Sequence, residues 1–449
     1  VRIAIIGSGI AGLTASHLLH KQGHEVHLYE AQEQLGLSAH SVDFNFLEND
    51  SSLSVCGDVP SRMFNSSLWP NVVELYRSLE LDIAQVNAKQ SYRRGDDVSA
   101  LLFQLPFEWS TEIMKTANSS LLALSGSLGI RRKSKEQSFN GGLTNAPISD
   151  RRFIFLAEIN RLRKQGLNDL KNLDPKMTFQ EYLDQHNFSA KFRETFLYPA
   201  LSSTVCTCSH EAISCYPAVI LLEAMQHISG SQRLCRVVKG ARLIAERLSE
   251  NVTVKLATPV KRIAASPQSA KLTADGIVID YDHVVIATQA NQAAGLCLGL
   301  AATDSATLNG FSYEDVDVVI HTDEKFMPPA KKEWSMFNFV ASDQHHESMC
   351  TVWMNQFHDD WQDTGMTQPI FQTIRPIHEV EPDKLIRHIK LQRPLVNHRS
   401  WSLWQQLRTI HQQQDRRIWF CGSYAMPGIP LLESAVRSAI EISNLISDT

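Results

Sequence analysis

The sequence predicts an α/β fold built on a parallel sheet, and three stretches predict it. Val1–Glu30 runs apolar strand, glycine-rich turn, helix, second strand, acid. Asp282–Thr288 (DHVVIAT) reads as a buried strand. Ile418–Cys421 reads as another, followed by Gly422-Ser423-Tyr424 and a closing helix from about Leu432 to Ile446. Short β-branched runs without polar alternation suit strands covered on both faces. Their distribution along the chain makes the sheet discontinuous in sequence.

The first stretch is the most informative. Val1–Ile6 (VRIAII) leads into Gly7-Ser8-Gly9-Ile10-Ala11-Gly12. Gly7 permits the tight turn, Gly9 lets the backbone approach a pyrophosphate, and Gly12 lets the helix pack on the strand. The helix start at Ile10 and Ala11 then faces phosphate with free N–H groups and a positive dipole end. Glu30 lies 18 residues after Gly12 (30 − 12), near the ~20 expected of the acid that bonds ribose hydroxyls. Ala31 follows it. This predicts dinucleotide binding but does not separate NAD from FAD.

Composition sets the frame. The chain has 449 residues, 43% hydrophobic and 20% charged, with net charge −5. Two or three domains with a large core fit that length. The acidic balance predicts no nucleic-acid partner, and the basic cluster Arg131–Lys135 reads as a solvated loop. Of eight cysteines, only Cys206-Thr207-Cys208 cluster; without a second ligand pair, no metal is expected. Reduced thiols point to a cytoplasmic location. No run of ~18 apolar residues would span a bilayer, which leaves peripheral membrane contact open. The opening strand begins at Val1, with no signal peptide; the missing initiator Met suggests that a short leader was trimmed.

Along the chain, residues 31–42 read as a loop and Pro70–Leu79 as an amphipathic helix. Tyr92–Phe107 is predicted as a hairpin turning at Gly95-Asp96-Asp97. Ser134–Asn145 reads as a mobile loop. Residues 150–232 are predicted mainly helical: Ile154–Lys164, a helix capped by Thr178, Ala190–Ser203 and Pro217–Ile228. Ala241–Leu248 is a helix and Val252–Leu256 a strand. A hairpin turns at Asp275-Gly276. Further strands are expected at Val316–His321, Cys350–Trp353 and Leu385–Ile389.

The returning strand-Gly422-Ser423-Tyr424 unit and the helix start Glu433-Ser434-Ala435 resemble flavin-dependent amine oxidases. In that superfamily this helix points at the flavin pyrimidine edge, where its dipole stabilises negative charge. Three further segments agree. Thr258-Pro259-Val260 resembles the element whose valine contacts adenine. Asp282–Thr288, carrying Ala287, is similar to the strand that rejoins the cofactor sheet. Val59-Pro60-Ser61-Arg62 resembles the loop that passes the flavin ring. A narrower similarity is to predicted NAD/FAD-binding flavoproteins associated with cyclopropane fatty acid synthases, carried by Asp58–Leu79, Phe196–Pro199, Tyr216–Ala218, Thr373–Pro376, Arg393-Pro394 and Phe420–Gly422. The superfamily usually carries an Arg and two glycines after the ribose acid; here Gln34 and Leu37 stand in two of those places and only Gly36 is kept. A charged pyrophosphate contact is expected to be lost there. Gly428–Ser434 also departs from the narrower group.

The resemblance implies FAD and a Rossmann-like FAD-binding domain of amine-oxidase type made from residues 1–75, 235–305 and 410–449. A discontinuous α+β substrate domain would take 76–234 and 306–409, with a helical subdomain at 150–234. The active site would lie between them. Flavin performs the redox step: a hydride leaves a C–H bond for N5. No second glycine turn would hold a nicotinamide; Gly126–Gly129 lacks the strand and spacing. O2 or another diffusible electron acceptor is therefore expected. Arg62 is read either as a binder of a carboxylate or reduced flavin, or as an arginine tied to Asp58 or backbone carbonyls. His321 and Asp323, polar residues at a strand end, are read either as catalytic or as structural hydrogen-bonding groups. Lys325 is read as a surface residue. The implied function is FAD-dependent oxidation of a C–N or C–C bond in a mostly apolar small molecule, a cyclic amine or pyrroline-type intermediate or a lipid acyl chain. A redox-neutral isomerase and a non-catalytic flavin-binding partner are the rivals.

Overall fold

The computed structural model describes residues 1–48, 51–95, 101–106, 148–228, 234–343 and 347–448. Gly126–Gly129, Arg131–Lys135, Ser134–Asn145 and the turn residues Asp96-Asp97 lie outside the described residues. The opening unit forms as its sequence predicts: strand Arg2–Ile6, helix Ile10–Lys21, strand Glu25–Tyr29.

Arg2–Ile6 is the central strand of a five-stranded parallel sheet. The order is Ile418–Phe420, His283–Ile286, Arg2–Ile6, Glu25–Tyr29, Thr253–Lys255. Val285 stands between Ile5 and Trp419. Side chains alternate across a strand, so both faces of this sheet are buried. Ile3 and Ile5 join a core with Leu13, Val72, Ile244 and Ile442 from four helices: Ile10–Lys21, Pro70–Ser78, Gly240–Ser249 and Leu432–Ser447. Ala4 and Ile6 face a second core that includes Ile263 and Leu272. Each fully buried isoleucine contributes about 1.5–3 kcal/mol. Ile263 and Leu272 belong to a small sheet whose hairpin, Ala270–Ala274 with Ile277–Tyr281, turns through Asp275 and Gly276 at φ 50° and 75°. Both left-handed residues suit a two-residue hairpin turn.

A second, larger sheet has seven strands. Its order is Leu385–Pro394, Tyr313–His321, Phe371–Ile374, Ser348–Trp353, Phe337–Ala341, Lys89–Arg94, Leu101–Pro106. Only the Phe337–Ala341 and Lys89–Arg94 pair is parallel.

Several elements depart from the sequence reading. Val42–Glu48 and Ser51–Gly57 form an antiparallel ribbon where no strand pair was expected. Leu385–Pro394 is twice the expected length because it pairs along the whole of Tyr313–His321. Ser400–His411 is a helix that the sequence reading leaves unassigned. The segment expected as one helix over Ala190–Ser203 alternates instead between α turns and π turns, at Arg193–Leu197 and Leu201–Val205. Pro199, which has no N–H to donate, lies between the π turns.

Gly12 is the tightest contact in this frame. A Cβ there would lie 1.9 Å from the Gly7 carbonyl oxygen. Overpacking against backbone cannot relax by a rotamer change. Gly12→Ala is expected to cost about 3 kcal/mol or more of unfolding free energy; a denaturation midpoint unchanged from wild type would contradict this packing.

Candidate active site

A cavity of about 350 Å³ opens at the carboxyl ends of the parallel strands. Gly9, Ile10 and Ala11 of the glycine turn form one end, and Ala287, Gly422 and Ser423 follow two neighbouring strands into it. Ser61 and Arg62 line it from the loop after the ribbon. The π-turned segment contributes Ser203, Thr204 and Val205. The face of the seven-stranded sheet contributes Val318, Phe337, Val352, Gln372 and Ile374. Leu431, Leu432 and Ala435 close it at the start of the final helix.

These residues fit a bound dinucleotide. A Cβ on Gly9 would meet nothing within 4 Å, so the turn is open toward the cavity. Gly7 has φ 97°, and its N–H donates to Tyr29 O at 2.8 Å, which carries the pairing with the neighbouring strand into the turn. The helices that start after Gly9 and Leu431 both lack a side-chain cap, so first-turn N–H groups of each are available to an anion.

Glu30 is buried and tied to the same turn. Its Oε2 accepts from Ser8 N at 2.9 Å and Ser8 Oγ at 2.5 Å, and its Oε1 accepts from Gln32 N at 3.0 Å. An ionised carboxylate accepts about four hydrogen bonds, which leaves capacity for a hydroxyl. Gly36, Ala31 and Val260 gather around Glu30, outside the cavity lining. Gly36 N donates to Ser8 Oγ at 2.6 Å, and Thr258 N donates to Glu30 O at 2.8 Å just before Val260. Arg62 does not pair with Asp58, which accepts from Ser41 Oγ and Ala241 N. Its Nη2 donates to Leu37 O at 2.5 Å. Arg62 thus brings a positive charge to the loop where Gln34 and Leu37 depart from the expected pattern.

Other expected site residues are used elsewhere. The Glu433 carboxylate accepts from Asn71 Nδ2, Asn71 N at 3.2 Å and Val72 N at 3.1 Å. It caps the first turn of Pro70–Ser78 and does not line the cavity. Ser434 is buried and donates to Ile429 O at 2.8 Å, leaving Ala435 as the member of that trio on the cavity wall.

His321 and Asp323 also lie outside the lining. Val318 faces the cavity, and a residue three positions on along a strand points to the opposite face. There His321 Nδ1 accepts from Asp323 N at 3.1 Å, so Nε2 carries the proton toward Thr373 Oγ1 at 2.8 Å. Thr373 Oγ1 in turn lies 2.8 Å from Thr351 Oγ1. Burial pushes the His321 imidazole down to about 4. Asp323 accepts from Lys325 N and Glu381 N and pairs with Lys325 Nζ at 3.2 Å. Desolvation by burial raises the Asp323 carboxyl, but these contacts outweigh it and hold the group below its ordinary range.

Among the polar lining residues that sequence reasoning did not assign to the site, three stand out. Gln372 Oε1 accepts from Ser61 N at 2.9 Å and fixes the loop. The buried Tyr424 hydroxyl has no hydrogen-bond partner among the described residues. Arg393 stands near the end of strand Leu385–Pro394. Tyr424 was marked by its place after Gly422-Ser423 and Arg393 by the Arg393-Pro394 similarity, but neither signal assigned a role in the site.

A family model for flavin containing amine oxidoreductase matches residues 10–447. The chain belongs to that family. It is an FAD-dependent oxidoreductase of amine oxidase type. No curated protein matches this flavoenzyme in sequence. Among solved structures it is similar to putrescine oxidase bound to putrescine, with 14% identity, TM-score 0.59, and 100% and 99% of the two chains covered. It is also similar to cyclohexylamine oxidase from Brevibacterium oxydans, at 12% identity, TM-score 0.60 and coverage of 100% and 99%. A fatty acid isomerase from P. acnes that produces CLA matches at 12% identity and TM-score 0.62, over 99% and 98%. At such identities the likeness concerns the fold. Among the described residues of the flavoenzyme, no helix is long and apolar enough to cross a membrane.

Two outcomes test these assignments. Glu433→Ala should lower stability by about 1–2 kcal/mol through loss of a helix cap, while bound flavin per protein stays at the wild-type level. His321 has a folded pKa of about 4, below the ordinary 6.5. Its neutral form therefore supports the fold above pH 6.5, and that support is lost as pH falls from 6.5 toward 4. Urea unfolding between pH 7.5 and 5 should show a declining free energy, with a shallower decline in His321→Asn; equal slopes would contradict the buried neutral imidazole.

Proposed function

We propose that this flavoenzyme removes a hydride from a C–N or C–C bond of a mostly apolar small molecule, a cyclic amine of pyrroline type or a lipid acyl chain, and reduces O2 or another diffusible acceptor. The observation that carries the reading is the apolar cavity running from the glycine turn to the uncapped start of the closing helix. FAD supplies the hydride acceptor when bound.

Gly9–Ala11, Arg62 and the buried Glu30 would hold the dinucleotide. The free N–H groups after Leu431 present positive potential where negative charge collects on reduction. Val318, Phe337, Val352 and Ile374 exclude water, so those dipoles act in a low dielectric. Gln372 orients the Ser61–Arg62 loop through Ser61 N. Among the described lining residues none is Asp, Glu, His or Lys. That composition supports direct hydride removal over chemistry that needs a side-chain base. The residues 1–75, 235–305 and 410–449 would form the FAD domain, with the cavity at its boundary with the substrate region.

Anaerobic incubation with cyclic amines and with fatty acids, followed by air, tests the reading. A substrate should bleach the bound flavin, and air should restore its colour with release of peroxide. Conversion of an unsaturated acid without bleaching would indicate redox-neutral isomerisation. A purified protein that carries no flavin and takes up no FAD would overturn the reading altogether.

A further inference from the structure

The cavity has an unusual charge pattern. Among the described residues that line it, only Arg62 and Arg393 are charged. The two are near enough that Arg62 acts on Arg393 as a neighbouring like charge. Arg62 donates to Leu37 O, and Leu37 N donates to Ser8 O at 3.0 Å, which places Arg62 beside the glycine turn. Arg393 Nη2 lies 3.5 Å from Pro430 O, just before the closing helix begins.

Arg393 has no counter-charge in the described structure. Its Nε is shut off from solvent and meets no hydrogen-bond acceptor. Glu314 lies opposite it across the strand pair, but that carboxylate is engaged by Arg375 Nη1 and Ser209 N. The other ionisable groups felt by Arg393 are Tyr216, Cys206, Cys208 and Arg62. Burial and neighbouring thiols raise Tyr216, and the Cys206 contact and burial raise Cys208, so both stay protonated and neutral. Arg62 adds a like charge. A guanidinium stays charged in such surroundings; Arg393 is half-buried, and its shielded Nε has no acceptor among the described residues, a cost that a bound anion would relieve. This end of the cavity therefore repels an alkylammonium and favours an anion. The walls beside it, Leu391, Ile374, Val352 and Phe337, are apolar.

We propose that the substrate is an apolar carboxylic acid whose carboxylate is held by the Arg393 guanidinium. The planar fork matches a carboxylate through two parallel N–H bonds, while the apolar walls take the hydrocarbon chain. The inference rests on the cavity being the substrate site. Within the function proposed above, it selects the acyl chain over the cyclic amine.

Calorimetry on the purified holoenzyme with decanoate, decan-1-ol and decylamine tests this. Decanoate should bind at least tenfold more tightly than the alcohol or the amine. Arg393→Met should weaken decanoate roughly ten- to a hundredfold, as expected for loss of a charge-assisted contact. Arg393→Lys, which keeps the charge without the fork, should fall between the two. Bound flavin per protein should stay constant in both variants. Decanoate binding no tighter than decanol, tighter binding of decylamine, or an unchanged decanoate affinity in Arg393→Met would overturn the proposal. Loss of FAD from Arg393→Met with decanoate affinity retained would overturn it by assigning the arginine to the cofactor. If the methionine variant does not fold, the wild-type ligand comparison and the lysine variant decide. Absence of flavin defeats the oxidoreductase reading, whereas the calorimetric comparison judges the carboxylate site by itself.

Discussion

The fold depends on how closely the first helix approaches the first strand. With the position of a Cβ on Gly12 only 1.9 Å from Gly7 O, no side chain fits between them. That approach sets the helix start directly beyond the carboxyl end of Arg2–Ile6. Neighbouring strands end at the same level: Ala287 N donates to Ile6 O at 2.8 Å, and Cys421 N donates to Ile286 O at 3.1 Å. Gly9, Ala287 and Gly422 consequently border one cavity although more than 400 residues separate the first from the last (422 − 9 = 413). Ligands of open parallel sheets bind beyond these carboxyl ends.

Polar residues around this frame divide into those that hold it and those that face the cavity. Glu433 ties the closing helix to the start of Pro70–Ser78, and so fixes the segment that leads from the Arg62 loop. Asp58 accepts from Ala241 N and anchors the beginning of that loop to another helix of the same layer. His321, Thr373 and Thr351 cross-link three strands of the large sheet on the side away from the cavity. Desolvation makes each of these groups expensive to leave unpaired, and once paired they are not free for chemistry.

What faces the cavity is mostly hydrocarbon, with two arginines as the charged groups among its described lining residues. Arg62 reaches the loop after Glu30 and donates to Leu37 O there. Arg393 stands beside Pro430 O, without a carboxylate partner among the described residues. The two uncapped helix starts add positive potential to both ends. The electrostatic character of the site is therefore anion-attracting along its length.

The sequence by itself determined the elements whose signal is local. The glycine spacing marks the strand-turn-helix unit because turn geometry and helix packing constrain adjacent residues directly. The buried strands at Asp282–Thr288 and Ile418–Cys421 are legible because burial on both faces makes them continuously apolar. Only tertiary structure decided which polar side chains meet the cavity. Glu433 sits at the right helix end yet turns to Asn71 and Val72, a partnership made across 362 residues. His321 lies on the wrong face of a strand whose neighbours sequence does not reveal. Arg393 was marked in sequence only by the Arg393-Pro394 similarity; what sets it apart is the absence of a counter-charge among the described residues, a property of packing between distant segments and not of any stretch of chain.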